Sequence, residues 1–222
     1  MCTPKKLISF QLTKSSCSSI CEKALWLFQR FGLRAVTMDD VSKEMSISKK
    51  TLYTFFQNKS DLVDQAIRKK MQANENELKS IKKVSKNAIE EIIAMHSNLV
   101  EMSEQFSKNF FALKKYYPDT FKWVLDQAKI ITLRVFKENI ERGVSEGIYK
   151  RKLDIEKLSL LRHFTITGII EDESLTEDIV LRNALLNNSL IMHLQFISTS
   201  KGAIRLKDSL MLNQNFAKSF FE

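Results

Sequence analysis

Between Ser48 and Phe56 the chain reads Ser-Lys-Lys-Thr-Leu-Tyr-Thr-Phe-Phe, which gathers Lys49, Lys50, Thr51, Tyr53 and Thr54 into one short stretch. Ammonium and hydroxyl groups at the start of a helix donate to phosphate oxygens, and lysine also reaches guanine O6 and N7. Threonine methyls can meet the methyl group of thymine, and the Tyr53 hydroxyl suits a phosphate oxygen. Leu52 and Phe56 lie four apart and share one helix face. If that face is inward, Lys50, Tyr53 and Thr54 must point away from the core. The competing reading, packed aromatics with merely solvated lysines, fits that spacing less well.

Such a helix needs elements that hold it at a fixed angle. Thr37 is placed as a helix cap, and Asp40 three residues later can return a bond to the cap backbone. Val41 and Met45 face inward, and Ser46-Ile47 form the turn. Ser48 caps the next helix, with Ile47 and Leu52 placed as a hydrophobic staple across the cap. Asn58 and Asp61 repeat the cap pattern ahead of Leu62, Val63, Ala66 and Ile67. Thr37 and Lys59 therefore stand at helix N-termini, where backbone N–H groups favour an anion. An earlier helix, starting near Ser15, carries Ile20, Ala24, Leu27, Phe28 and Phe31 on one face and stops at Gly32. Residues 37–62 thus read as a helix-turn-helix followed by the capped start of another helix, and double-stranded DNA is the partner they imply.

Charge placement points the same way. The 222-residue chain carries a formal +9. Residues 1–70 hold 13 Lys and Arg against 6 Asp and Glu, a net +7; the remainder is close to balance, with 22 against 20. A polyanion partner for the first third follows from electrostatics. With 44% apolar and 27% charged residues, 5 glycines, 2 prolines and no strand-like alternation, an all-α protein is expected. No apolar run is long enough to span a bilayer, and the N-terminal segment has no signal-peptide pattern, so a cytoplasmic location is expected. Cys2, Cys17 and Cys21 suggest small buried thiols, and neither a metal site nor a cofactor is expected.

Beyond residue 70 the pattern is helical throughout. A charged stretch over 72–86 reads as a connecting helix, and Ile89, Ile92, Ile93, His96, Leu99 and Val100 mark an amphipathic one. An aromatic cluster ends at Pro118, and a long helix then runs to about Glu146-Gly147. Residues 155–170 and 179–197 are strongly apolar, separated by a polar break over 171–178. A lone helix-turn-helix makes too few contacts to find one genomic site, so a two-fold dimer is expected. Residues 155–170 and 179–197 are the expected dimer helices, although 179–197 could also be the buried centre of one subunit.

Phe28–Phe31-Gly32, Thr37-Met-Asp-Asp-Val-Ser and the segment from Ile47 to Leu62 resemble the TetR/AcrR repressors over about residues 18–65. Gly143-Val-Ser-Glu-Gly-Ile-Tyr149 and Ile197-Ser-Thr-Ser-Lys-Gly202 are similar to segments of some members. The resemblance implies an N-terminal helix-turn-helix domain, a C-terminal helical effector-binding and dimerisation domain, and a homodimeric repressor released by a small molecule. Expected boundaries are a poorly ordered lead-in over 1–14, the DNA-binding domain over 15–65 and the effector domain over 66–222. By position, Thr37, Ser48, Lys49, Lys50, Thr51, Tyr53, Thr54, Phe55 and Lys59 match residues that commonly touch DNA in the family. Ser46 stands where a turn glycine is usual, Lys50 where a small residue is frequent, and Phe55 where His or Tyr donates to phosphate. The Ser46 and Phe55 departures also suit a helical ligand-sensing or interaction protein without sequence-specific DNA binding.

For an effector, Met95, Met102, Phe106, Phe110, Phe111, Tyr116, Tyr117 and Trp123 could line an apolar pocket, although a Met and aromatic stripe at helical spacing is more often plain core. His96, His163 and His193 read as satisfied core histidines, and Glu90-Glu91 and Glu171-Asp-Glu173 as solvated acidic clusters. No phosphate loop, His-Glu-x-x-His or nucleophile elbow is present, so no catalytic residue is assigned and an enzyme is not expected.

Overall fold

A computed structural model describes residues 5–175 and 177–212, with side chains over 17–107, 109–175 and 177–211. Among the described residues the chain is all α-helical: α1 Lys5–Phe31, α2 Met38–Glu44, α3 Lys49–Phe55, α4 Lys59–Val84, α5 Ala88–Tyr116, α6 Pro118–Ser145, α7 Ile155–Glu171, α8 Ile179–Ile197 and α9 Ser200–Leu212. A short 3-10 turn over Glu173–Leu175 lies in the polar break. Helix α1 begins at Lys5 rather than near Ser15, so the expected lead-in is helical wherever it is described; Cys2 lies outside the described residues. No glycine or proline interrupts Lys5–Phe31, so nothing in that stretch opposes helix propagation. Likewise the charged stretch over 72–84 is not a separate connector but the continuation of α4.

The chain divides into two compact units. The first comprises Met1–Glu75 and Phe106–Val124, so the aromatic cluster belongs with the helix-turn-helix. The second comprises Asn76–Gln105 and Leu125–Glu222. Helices α4, α5 and α6 supply residues to both.

In the first unit Ile20, Ala24, Leu27 and Phe28 of α1 are buried, as are Val41, Leu52, Phe56, Leu62, Val63 and Ala66. These expected inward positions form the core, and burying each large side chain contributes about 1.5–3 kcal/mol; Phe31, expected on the same face of α1, is instead 55% exposed, and Met45 is half-buried. Gly32 closes α1 with φ +87°, and its N–H donates to the Phe28 carbonyl at 2.8 Å. Cys21 is buried and its thiol pushed up to about 12, chiefly by burial, which keeps it an unreactive thiol. Cys17 is half-buried.

The second unit is built around Ile89, Ile92, Ile93, Phe136, Ile140, Leu190, Ile191, Leu194 and Ile197. Its two family-like segments meet. Lys150 N–H donates to the Ile197 carbonyl at 2.9 Å, and Thr199 N–H to the Ile148 carbonyl at 3.0 Å. Gly202 lies inside α9, and a Cβ there would sit 2.0 Å from the Ile148 carbonyl oxygen. Only glycine permits that approach. Glu91 departs from the expected solvated cluster: it is buried and paired with Arg142. The same guanidinium holds Glu146 at 2.7 Å and donates to the Ser85 carbonyl at 3.0 Å.

Candidate nucleic-acid interface

Two caps and a turn fix α3. Thr37 caps α2: the Asp40 N–H donates to Thr37 Oγ1 at 3.2 Å, while the Thr37 N–H and hydroxyl donate to Asp40 Oδ2 at 2.8 and 2.7 Å. The hydroxyl and the N–H of Thr37 hold the Asp40 carboxyl below its ordinary value. Helix α2 ends at a turn in which Ser46 takes φ +53°, the left-handed conformation. The Ser46 N–H donates to the Lys43 carbonyl and the Ile47 N–H to the Ser42 carbonyl, both at 3.0 Å. These bonds satisfy the carbonyls that the end of α2 leaves open.

Helix α3 starts from Ser48, whose Oγ accepts from the Thr51 N–H at 3.0 Å and pairs with the Thr51 hydroxyl at 2.8 Å. Leu52 and Phe56 are fully buried. Ser48, Lys49, Lys50, Thr51, Tyr53 and Thr54 are all exposed, Tyr53 to 51%. The Thr54 hydroxyl donates back to the Thr51 carbonyl at 2.6 Å, which leaves its lone pairs and its methyl facing outward. Lys49 makes an ion pair with Asp39 of α2 at 2.5 Å. Phe55 is half-buried, its ring 6.4 Å from that of Phe56.

Two more side chains flank this face. Thr37 is exposed at the head of α2. Lys59, at the head of α4, is half-buried and its Nζ donates to the Arg34 carbonyl at 3.1 Å. Burial lowers the Lys59 ammonium from its ordinary value, with the Asp40 carboxylate opposing. Asn58 caps α4, its Oδ1 accepting from the Asp61 N–H at 3.0 Å, and Asp61 Oδ2 accepts from the Gln57 N–H at 2.8 Å.

The arrangement is a row of cations and hydroxyls on a short helix, backed by two buried apolar anchors. It suits phosphate oxygens and base edges. Residues 20–66 match the family described as bacterial regulatory proteins, tetR family. The similarity to that family thus covers the helix-turn-helix segment of the chain. Its sequence is 30% identical over 139 residues to YhgD of Bacillus subtilis strain 168, described as an HTH-type transcriptional regulator. That match spans 61% of this chain and 61% of the relative's length. The fold is shared with a transcriptional regulator from Cytophaga hutchinsonii, at TM-score 0.69 and 19% identity over 81% of this chain and 97% of that one. It is shared also with a TetR transcription regulator from Haloarcula marismortui, at TM-score 0.67 and 13% identity over 83% and 100%.

Seven of the residues read as pocket candidates do not gather in one unit of the chain. Phe106, Phe110, Phe111, Tyr117 and Trp123 belong to the first unit, while Met95 and Met102 belong to the second. Phe110 packs edge-on against Phe111 and Phe121, with centroids 5.3 and 5.1 Å away. Trp123 lies under the Arg68 guanidinium at 4.1 Å. Tyr116, the eighth, is exposed beside Arg34 and Lys115.

One positioning residue escaped the sequence. Asn109 is fully buried within the aromatic cluster. Its Oδ1 accepts from the Leu33 N–H at 2.8 Å and its Nδ2 donates to the Phe28 carbonyl at 2.9 Å. It thereby pins the turn that leads from α1 towards the helix-turn-helix. The available signal was a buried-type polar residue amid Phe106, Phe110 and Phe111.

Proposed function

We propose that the chain is a cytoplasmic transcriptional repressor that binds a palindromic operator as a homodimer and releases it when a small-molecule effector is bound. The observation that carries this reading is the outward face of α3, with Lys50, Thr51, Tyr53 and Thr54 exposed over buried Leu52 and Phe56. In this reading Lys50, Thr51 and Thr54 meet base edges. Ser48, Lys49 and Tyr53 take phosphates, and Thr37 and Lys59 anchor the strand on either side. Phe55 supplies an apolar contact where the family commonly donates a hydrogen bond.

The homodimer is supported by apolar surface on α7 and α8. Leu161 and Phe164 on α7, and Leu181, Leu185, Met192 and Phe196 on α8, are exposed, Phe164 to 60% and Phe196 to 61%. Their spacing makes one stripe on each helix. Two copies of such a pair form a four-helix bundle that removes these stripes from water. Release by an effector is a population shift: a ligand that binds better to the dimer whose reading heads are wrongly spaced depletes the competent form.

Fluorescence anisotropy with the full chain and a selected duplex tests the reading. Binding of two chains per duplex is expected, with affinity falling steeply as salt rises because phosphate contacts release counterions. Salt-insensitive binding, or a monomer by analytical ultracentrifugation, contradicts it.

A further inference from the structure

Within the second unit two buried guanidiniums, those of Arg162 and Arg182, keep unpaired donors among the described residues; the Glu104 carboxylate acts on Arg182, and no such charge acts on Arg162. Arg162 on α7 is only 2% exposed. Its Nη1 donates to Ser189 Oγ of α8 at 2.9 Å, and its Cζ lies 5.1 Å from the Phe136 ring centroid. Nε and Nη2 are buried and find no acceptor among the described residues. No carboxylate pairs with it there, and burial pulls the group down to about 10. Arg142, in the same unit, shows what this chain does when an arginine is structural: two carboxylates and a carbonyl receive its donors.

The neighbours of Arg162 add donors and no negative charge. His96 and His193 are both buried and held neutral, pushed down to about 3 by burial first and then by the charge of Arg162. His193 meets the edge of Phe136 at 5.5 Å, and its Nε2 is buried without a partner. Ser159, one turn before Arg162 on the same face of α7, has a buried hydroxyl that is likewise unpartnered. His96 Nε2 is engaged by Asn187 Oδ1 at 3.2 Å. The expectation of satisfied core histidines therefore fails at His193. Phe136, Ile166 and Leu190 belong to the apolar core.

A buried, uncompensated cation flanked by unpaired donors and an apolar wall is complementary to an anionic head on an apolar body. We propose that Arg162, with Ser159 and His193, binds the carboxylate of a small apolar acid in the helical unit, and that acids of this class are the effectors. The proposal rests on the effector-released reading above.

The test uses the full chain, straight-chain carboxylic acids from acetate to decanoate, and their primary amides. Isothermal titration should show at least one acid binding tenfold or more tightly than its amide. Arg162→Met should abolish that preference, and Arg162→Lys should weaken it at least tenfold. The acid should also displace wild-type protein from its selected duplex and leave the Arg162→Met complex intact. The acid–amide comparison on wild type stands even if a variant fails to fold. Acids that bind no better than amides, or a preference that survives Arg162→Met, overturn the proposal. If wild type selects no duplex at all, the regulator reading fails instead, while the acid–amide preference is still measured.

Discussion

Lys49 Nζ lies 2.5 Å from Asp39 Oδ2, so the first residue of α3 is tied to α2. Both side chains are well exposed, and an exposed pair contributes only about 0–1 kcal/mol. The tie is therefore easily exchanged for a phosphate. Asp39 also places a negative charge beside the proposed DNA path. Asp39→Asn is expected to tighten binding to all duplexes alike by about three- to tenfold at low salt, with unchanged base preference. Anisotropy titrations over a salt series check this; weaker binding would mean that the pair positions α3 rather than competing with DNA.

Asn109 satisfies a donor and an acceptor at the end of α1 from a site with no exposure. Asn109→Ala leaves both buried backbone groups unpaired. A loss of about 2–4 kcal/mol in urea denaturation is expected, since each unsatisfied group costs roughly 1–3 kcal/mol. A loss below 1 kcal/mol would show that the turn holds itself.

Much of this region was legible because its determinants are local. Thr37 with Asp40, Ser48 with Thr51, and Asn58 with Asp61 each act within three residues, and Leu52 with Phe56 sets the buried face. Asn109, Glu91 and Arg162 were not legible in the same way. Their roles depend on partners, or on the lack of them, far along the chain: Asn109 acts on Phe28 and Leu33, and Glu91 on Arg142. Sequence spacing could mark Gly143–Tyr149 and Ile197–Gly202 as unusual, but not that Ile148 and Gly202 touch.

Ser46 pays for its left-handed turn. A left-handed L-residue costs roughly 1–2 kcal/mol, which a glycine relieves, while the glycine's freer unfolded chain offsets about 0.5–1 kcal/mol of that gain. Ser46→Gly is expected to stabilise the protein by about 0.5–1 kcal/mol in thermal unfolding, with DNA affinity unchanged. Destabilisation would show that the serine side chain itself is needed in the turn.

Asp40 is held below the usual carboxylate value first by the Thr37 hydroxyl and then by the Thr37 N–H. A depressed folded value means that the cap contributes stability above the unfolded Asp value, and loses it as pH falls through the folded one. Thr37→Val removes the hydroxyl. The Asp40 carboxyl should then titrate closer to its ordinary value by NMR, and the variant's stability should depend less on acid pH. An unchanged Asp40 titration would contradict the capping-box account.

The most direct measurement is selection of duplexes from a random pool by the full chain, repeated with Lys50→Ala and Lys59→Ala. Wild type should enrich two inverted half-sites about 34–36 Å apart or a multiple of that. Lys50→Ala should relax one position in each half-site, and Lys59→Ala should weaken every sequence equally. A pool that emerges with no enriched sequence contradicts the assignment of α3 as a DNA-reading helix.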